Sequence, residues 1–515
     1  MHNRSIRTIL CLMLAGLFVL PAEAQTTRKK TTSAATRKKA AAKKRSTRRR
    51  AVAKPVLPPA PTAPRNAADL ANDLANSVGR IRNGRFGVMV TSLTRADTLF
   101  SYNAAAPMLP ASTMKLLSTA IAFERLGPTY QFSTDALRDG EIGPDGTLNG
   151  NIYIRGDGDP SFSGRYLGGK PAAAINRLAQ LVASQGIRRI NGNVIGDATA
   201  FDNEVIPQGW LSRYLQAGYA ARVSGLSLNE NLVWVTVTGT GVALEPSTSA
   251  LPLISNVRFV AGSRANIRVA RSGDGTITVS GTMGRNAGPR RYVYVVEDPA
   301  AFTTGAFRNA LAAQGIAIGG TTRLGRTPNG ATRIASFVSP TLDRMAAAMN
   351  RESINHYAEL IFRNGARGRN HDVQGSARTG HAAMQNFFAT KIGADTTQLH
   401  FADGSGLSTL DRVTPRAMTQ MLGYAHRASW GPWFHASLPV AGESELLRRR
   451  MRGGQAQGNL HAKTGTTNEV VGLAGYVTSL NGEVIAFTFL YNGRDRATAR
   501  SMIDRMGMTL ANFAR

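Results

Sequence analysis

Pro110-Ala-Ser-Thr-Met-Lys-Leu-Leu-Ser-Thr-Ala-Ile-Ala-Phe-Glu-Arg-Leu126, closed by Gly127-Pro128, is the stretch from which the rest of the chain is read. Its apolar spacing and its Gly-Pro stop predict a helix. Ser112 and Lys115 stand three apart at the start, so they share one face, a turn apart. A helix N-terminus offers free N–H groups and the positive end of a dipole, which suits an oxyanion. Burial of Lys115 disfavours its ammonium, and the free amine can then take the serine proton. The bland alternative is a capping serine beside an exposed lysine. From Asn66 onward, however, the chain has only four lysines (Lys115, Lys170, Lys391 and Lys463), and this is its one Ser-x-x-Lys.

Lys463-Thr464-Gly465 opens a strand near the C-terminus. Glycine in a strand lets a substrate backbone come close. A lysine and a hydroxyl beside it suit a carboxylate. Thr466, next along, can aim its backbone N–H at a reacting carbonyl. An exposed turn is the other reading. Ser353-Ile-Asn355 is weaker by itself, because Ser101-Tyr-Asn103, Ser227-Leu-Asn229 and Ser479-Leu-Asn481 match Ser-x-Asn equally. Ser353 is preferred because it precedes a helical run over 355–360 and falls between the other two motifs. Its hydroxyl can relay a proton, and the Asn355 amide can hold a substrate carbonyl.

Working outward, 67–78 reads as a helix with Leu70, Leu74 and Val78 four apart. Strands are expected at 86–93 and 98–102, and again at 470–478 and 483–491 around the hairpin turn Asn481-Gly482. A last helix is expected over 497–513. Residues 129–340 change character, with many glycines and alternating strands; Ser272-Gly-Asp-Gly275 joins two of them. The fold class is therefore α/β in the α+β sense: helices packed on an antiparallel sheet built from both ends, with strand-rich material inserted between.

The 515 residues carry 62 Lys+Arg against 32 Asp+Glu, a formal net charge of +30. Of this, +14 lies in 25–65, which has no acid. Residues 1–24 read as a signal peptide: Arg4 and Arg7, an apolar run from Ile9 to Leu20, then Ala22-Glu23-Ala24. Export to the periplasm follows, and it argues against nucleic acid as a partner. Cys11 is the one cysteine and leaves with the leader, which excludes disulfides and thiolate chemistry from the mature chain. Residues 25–65, basic and then Pro-rich, have nothing to bury and are expected to be disordered. Adhesion to an anionic envelope surface and a mere solvated spacer are both open for them. Neither Gly-x-Ser-x-Gly nor His-Glu-x-x-His occurs. His356 and His461 read as local hydrogen-bond partners, and Asp157 and Asp159 as a turn or interdomain contact.

Ser112-x-x-Lys115, Ser353-x-Asn355 and Lys463-Thr-Gly465, in that order, resemble the three motifs of penicillin-binding proteins and serine β-lactamases. The long gap from Ser112 to Ser353 is similar to that of the low-molecular-weight class C penicillin-binding proteins, the D-Ala-D-Ala carboxypeptidase/endopeptidase family. Gly156-Asp-Gly-Asp-Pro160, Ser227-Leu-Asn-Glu-Asn231 and Asp403-Gly-Ser-Gly-Leu-Ser408 add to the likeness, which covers about residue 80 to the end. Ile354 and Thr409 depart from the common pattern.

The resemblance implies a transpeptidase/β-lactamase-like domain at 66–127 and 341–515. It implies a second domain at 128–155 and 228–340 inserted in the first, and a third at 156–227 nested in the second. It implies peptidoglycan stem peptides as substrate, β-lactams as inhibitors, and no metal or cofactor. Catalysis falls to Ser112, Lys115, Ser353 and Asn355. Lys463, Thr464, Gly465 and Thr466 hold substrate, with the N–H groups of Ser112 and Thr466 as oxyanion hole. A β-lactamase or esterase using the same Ser-Lys site is the alternative, and a wall-binding module with vestigial catalysis a third reading.

Overall fold

Five antiparallel strands from the two ends of the chain make one sheet, in the order His461–Thr466, Val470–Thr478, Val484–Gly493, Gly84–Ser92, Asp97–Tyr102. This computed structural model describes residues 63–81 and 83–515. The leader read at 1–24, and the tail up to residue 62, lie outside the described residues. In Val470–Thr478 every residue but the last is buried, because both faces of the sheet are covered. Helices Ala67–Gly79 and Arg496–Ala511 pack on one face through Leu70, Leu74, Met502 and Ile503. Helices Met114–Leu126, Asn355–Arg367 and Pro415–Arg427 belong to the other core, with Leu117, Ile121, Phe362 and Met421 fully or almost fully buried. The architecture is α+β, and it places the Ser112 turn against the strand that carries Lys463.

The inserted material divides differently from the expectation. Val194–Asp197, read as part of a nested domain at 156–227, pairs in parallel with Ile152–Gly156 and with Thr322–Leu324. These three join Ser133–Arg138 and Thr332–Val338 in a single five-stranded sheet. Helix Ala173–Ala183 is the crossover that parallel pairing requires. Such pairing leaves no local turn signal, which is why it was not legible. The strands that pair among themselves instead lie between Leu232 and Val295. Leu232–Val237 joins Val242–Glu245 and Arg290–Val295, and Ile277–Gly284 lies between Leu253–Val260 and Ala265–Arg271.

The tail boundary also moves. Arg65, assigned to the disordered tail, donates its N–H to Asn512 O at 2.8 Å and accepts from Ala514 N at 2.8 Å. Its guanidinium meets Asp73 at 3.1 Å. Among the described residues no helix is long and apolar enough to cross a membrane.

Candidate active site

The helix expected from Pro110 begins later. Ala111–Thr113 is a 3-10 turn, and Met114–Leu126 is the α-helix proper. Ala111 has φ of 46°, a left-handed backbone that costs a non-glycine residue energy and persists only where neighbours enforce it. Two glycines let those neighbours close in. A Cβ on Gly406, itself at φ +80°, would lie 1.8 Å from Ala111 O. One on Gly465 would lie 2.8 Å from Pro110 O. The loop around Gly406 and the strand of Lys463 thus pinch the turn that presents Ser112.

Lys115 is fully buried. Its Nζ lies 3.0 Å from Ser112 Oγ, 2.7 Å from Asn355 Oδ1 and 2.8 Å from Ser405 O. Burial pushes its pKa down to about 7, against the pull of Asp403, Glu359 and Asp411. A neutral amine has two hydrogens and one lone pair. Asn355 Oδ1 and Ser405 O accept only, so they take the two hydrogens. The lone pair is left for the Ser112 hydroxyl, which donates to it.

Ser353 caps helix Leu342–Glu352 at φ 61°, and its Oγ accepts from Lys463 Nζ at 2.9 Å. Lys463 Nζ also donates to Thr464 O at 2.9 Å. Lys463 is completely buried, and burial followed by the like charge of Lys115 holds its pKa well below the usual lysine range. The positive charge of Lys115 is thus felt at Lys463. Both ends of the Asn355 amide are engaged, Oδ1 by Lys115 and Nδ2 by donation to Tyr219 O at 2.8 Å. The amide thus links Lys115 Nζ to the backbone at Tyr219. Thr464 and Gly465 are buried and Thr466 is exposed at the strand end.

Asp403 was quoted from sequence only as part of the likeness, without a role, and Glu359 was not singled out at all. The Asp403 carboxylate accepts from the N–H groups of Ser405 (3.0 Å), Gly406 (2.6 Å), Leu407 (3.1 Å) and Ser408 (2.8 Å), and from Trp210 Nε1 (2.8 Å). It shapes the loop that turns Ser405 O toward Lys115. Glu359 receives Gly404 N at 3.1 Å and Arg363 at 2.9 Å, and burial raises its pKa to about 7. The signal was Asp403-Gly-Ser-Gly406: a carboxylate before small residues whose amides can converge on it. His356 lies 3.1 Å from Asn231 Nδ2, and burial lowers its pKa to about 3, so it is a neutral local partner. Asp157 pairs with Arg367 at 2.7 Å, joining the insertion to helix Asn355–Arg367.

Residues 66–513 match the model of the D-Ala-D-Ala carboxypeptidase 3 (S13) family. The chain belongs to that family. This S13 chain is 31% identical to a D-alanyl-D-alanine carboxypeptidase of Actinomadura sp. (strain R39), over 83% of this chain and 81% of that one. It is 26% identical to D-alanyl-D-alanine carboxypeptidase DacB of Haemophilus influenzae, over 81% and 88%. The crystal structure of penicillin binding protein 4 (dacB) from Haemophilus influenzae shares the fold, with TM-score 0.71, 23% identity, and coverage of 86% of this chain and 98% of that one. The S13 enzyme is accordingly a serine-type D-Ala-D-Ala carboxypeptidase.

Proposed function

We propose that Ser112 is the nucleophile and the Lys115 amine its base in trimming peptidoglycan stem peptides. The observation that carries this is the three-point hold on Lys115 Nζ, which leaves one lone pair for Ser112 Oγ at 3.0 Å. Ser112 Oγ adds to the carbonyl between two D-alanines as its proton passes to Lys115. The N–H groups of Ser112 and Thr466 receive the oxyanion. Lys463, with Thr464 beside it, holds the terminal carboxylate; the departing amine takes a proton from the Ser353 hydroxyl, and the proton held by Lys115 restores that hydroxyl, which leaves Lys115 a free amine for the water step. Water then hydrolyses the acyl-enzyme. The same chemistry extends to D,D cross-links.

The leader supports work in the periplasm, and the basic tail supports adhesion to anionic envelope material. We take 66–127 and 341–515 as the catalytic unit, whose strands share one sheet.

A β-lactam offers a strained amide and a carboxylate in the substrate's arrangement. Its leaving amine stays tethered and blocks water. A β-lactamase needs a second base for that water; Glu359, with its pKa near 7, is fully buried and committed to Arg363 and Gly404. Intact-mass spectrometry after penicillin treatment should show one persistent adduct per chain, absent in Ser112→Ala. Rapid penicillin turnover without an adduct would favour the β-lactamase alternative.

A further inference from the structure

The most one-sided charge in the described part of the chain lies on the sheet Leu253–Val260, Ile277–Gly284, Ala265–Arg271, outside the catalytic unit. Between Leu253 and Val295 there are seven arginines and one acid, Asp274. Asp274 is occupied by its own turn, accepting from Ser272 Oγ at 2.6 Å and Thr276 N at 3.0 Å. One face of the sheet is core: Val257, Ile267 and Val279 turn toward the cluster of Leu244 and Phe302. Side chains alternate along a strand, so the intervening residues line the other face. There Arg268 lies across from Ser280, which is level with Asn256; Arg258 lies across from Thr282, which is level with Asn266. Arg264 and Arg285 join the end of the sheet nearest Arg258, through the bonds Gly284 N to Arg264 O and Arg285 N to Val260 O. All four of these arginines are exposed, and none of them pairs with a carboxylate among the described residues.

We infer that this exposed sheet face docks on the anionic phospholipid headgroups of a bilayer. Three adjacent strands of seven or eight residues present a platform about 10 Å across and about 25 Å long. A platform of that shape fits a planar target. Guanidinium groups match phosphate in a bidentate way. The strand Leu253–Val260 decides among anionic targets. On either side of Asn256 and Arg258, on the same face, stand Ile254 at 48% and Val260 at 42% exposure. A carboxylate-bearing wall polymer offers such side chains nothing, whereas the boundary between headgroups and acyl chains accommodates them. This contact is separate from the adhesion ascribed to residues 25–65.

The test is flotation of the periplasmic chain with vesicles of phosphatidylglycerol and phosphatidylethanolamine, against phosphatidylcholine vesicles. Each basic residue near such a surface is worth on the order of fivefold in binding. The triple variant Arg258→Gln, Arg264→Gln, Arg268→Gln should therefore bind the anionic vesicles at least tenfold more weakly. A charge-matched variant on the catalytic unit, Arg85→Gln, Arg378→Gln, Arg500→Gln, should lose less than twofold. The tail is present in every variant, so the ratios report the sheet. Ile254→Ser with Val260→Ser should weaken vesicle binding and leave retention on a polyglutamate column unchanged. Turnover of a small soluble peptide checks the fold. If the triple variant misfolds, lysines at the same three positions serve instead and should retain vesicle binding. Equal losses in both charge variants would overturn the proposal. So would unchanged vesicle binding in the sheet variants, or arginine-dependent binding to isolated wall sacculi but not to vesicles.

Discussion

Burial drives the Lys115 ammonium toward the free amine, while Asp403, Glu359 and Asp411 pull it back. The balance at about 7 sets the working state of the site. The neutral fraction grows as pH rises, so acylation of Ser112 should climb through about pH 7 and level off above it. Stopped-flow acylation by a fluorescent penicillin would show this, and a rate that falls over the same range would contradict the role of base. Lys115→Ala should slow acylation by about 10²–10⁴-fold. Lys463 makes a different demand. Its Nζ meets Ser353 Oγ and a backbone carbonyl, with no carboxylate among its hydrogen-bond partners. Lys463→Ala should then harm peptides ending in a carboxylate much more than uncharged ester analogues, measured as kcat/KM. Equal losses on both would make its role general. The meeting of Ser112 with Lys115, and of Ser353 with Lys463, was legible because side-chain identity at fixed spacing marked the motifs. The acceptors Ser405 O and Tyr219 O were not, since any residue supplies a carbonyl and only the fold aims it.

The loop Asp403–Ser408 and the segment around Trp210 act as one element. Trp210 Nε1 reaches Asp403, Ser408 Oγ donates to Gln208 O at 2.6 Å, and Thr409 N to Gly209 O at 3.1 Å. Inserted chain is thereby stapled to the floor of the site. Asp403→Asn removes the charge at nearly equal volume, but its amide nitrogen cannot accept from the N–H groups that both carboxylate oxygens receive, so a thermal melt should accompany the kinetics to separate loosening of the loop from loss of charge. Asp403 is the largest of the three charges that favour the Lys115 ammonium, so its loss lowers the Lys115 pKa further. The acid limb of the pH–acylation profile should shift to lower pH; a shift to higher pH would show that another carboxylate controls the lysine. The local elements were read well where a turn announced them, as at Asn481-Gly482 and Ser272–Gly275. The parallel pairing of Ile152–Gly156 with Val194–Asp197 was missed. Its partners are 42 residues apart in the register, joined by a helix that the strand-rich composition obscured.

Across the whole molecule, charge is distributed by task. The segment 25–65 carries +14 without an acid. Deleting residues 25–62, and so sparing the Arg65 anchor, should weaken adhesion to anionic sacculi or vesicles at low salt. Turnover of a small peptide should not change. Exposed charges are screened beyond about 8 Å at physiological ionic strength, so the difference should shrink as salt is added. Equal adhesion with and without the segment would remove the idea. Composition alone exposed this asymmetry. It did not show where the folded part begins, because a single arginine in a basic run looks like its neighbours until its backbone finds Asn512 and Ala514. That small contact makes the folded polypeptide almost a ring with one link left open. A short connector from Arg515 back to Asn66 would close the circle, and the exposed Ser272–Gly275 turn offers a place to cut a new one. The order in which the segments are synthesised is thus separable from the architecture that holds Ser112 and Lys115 together.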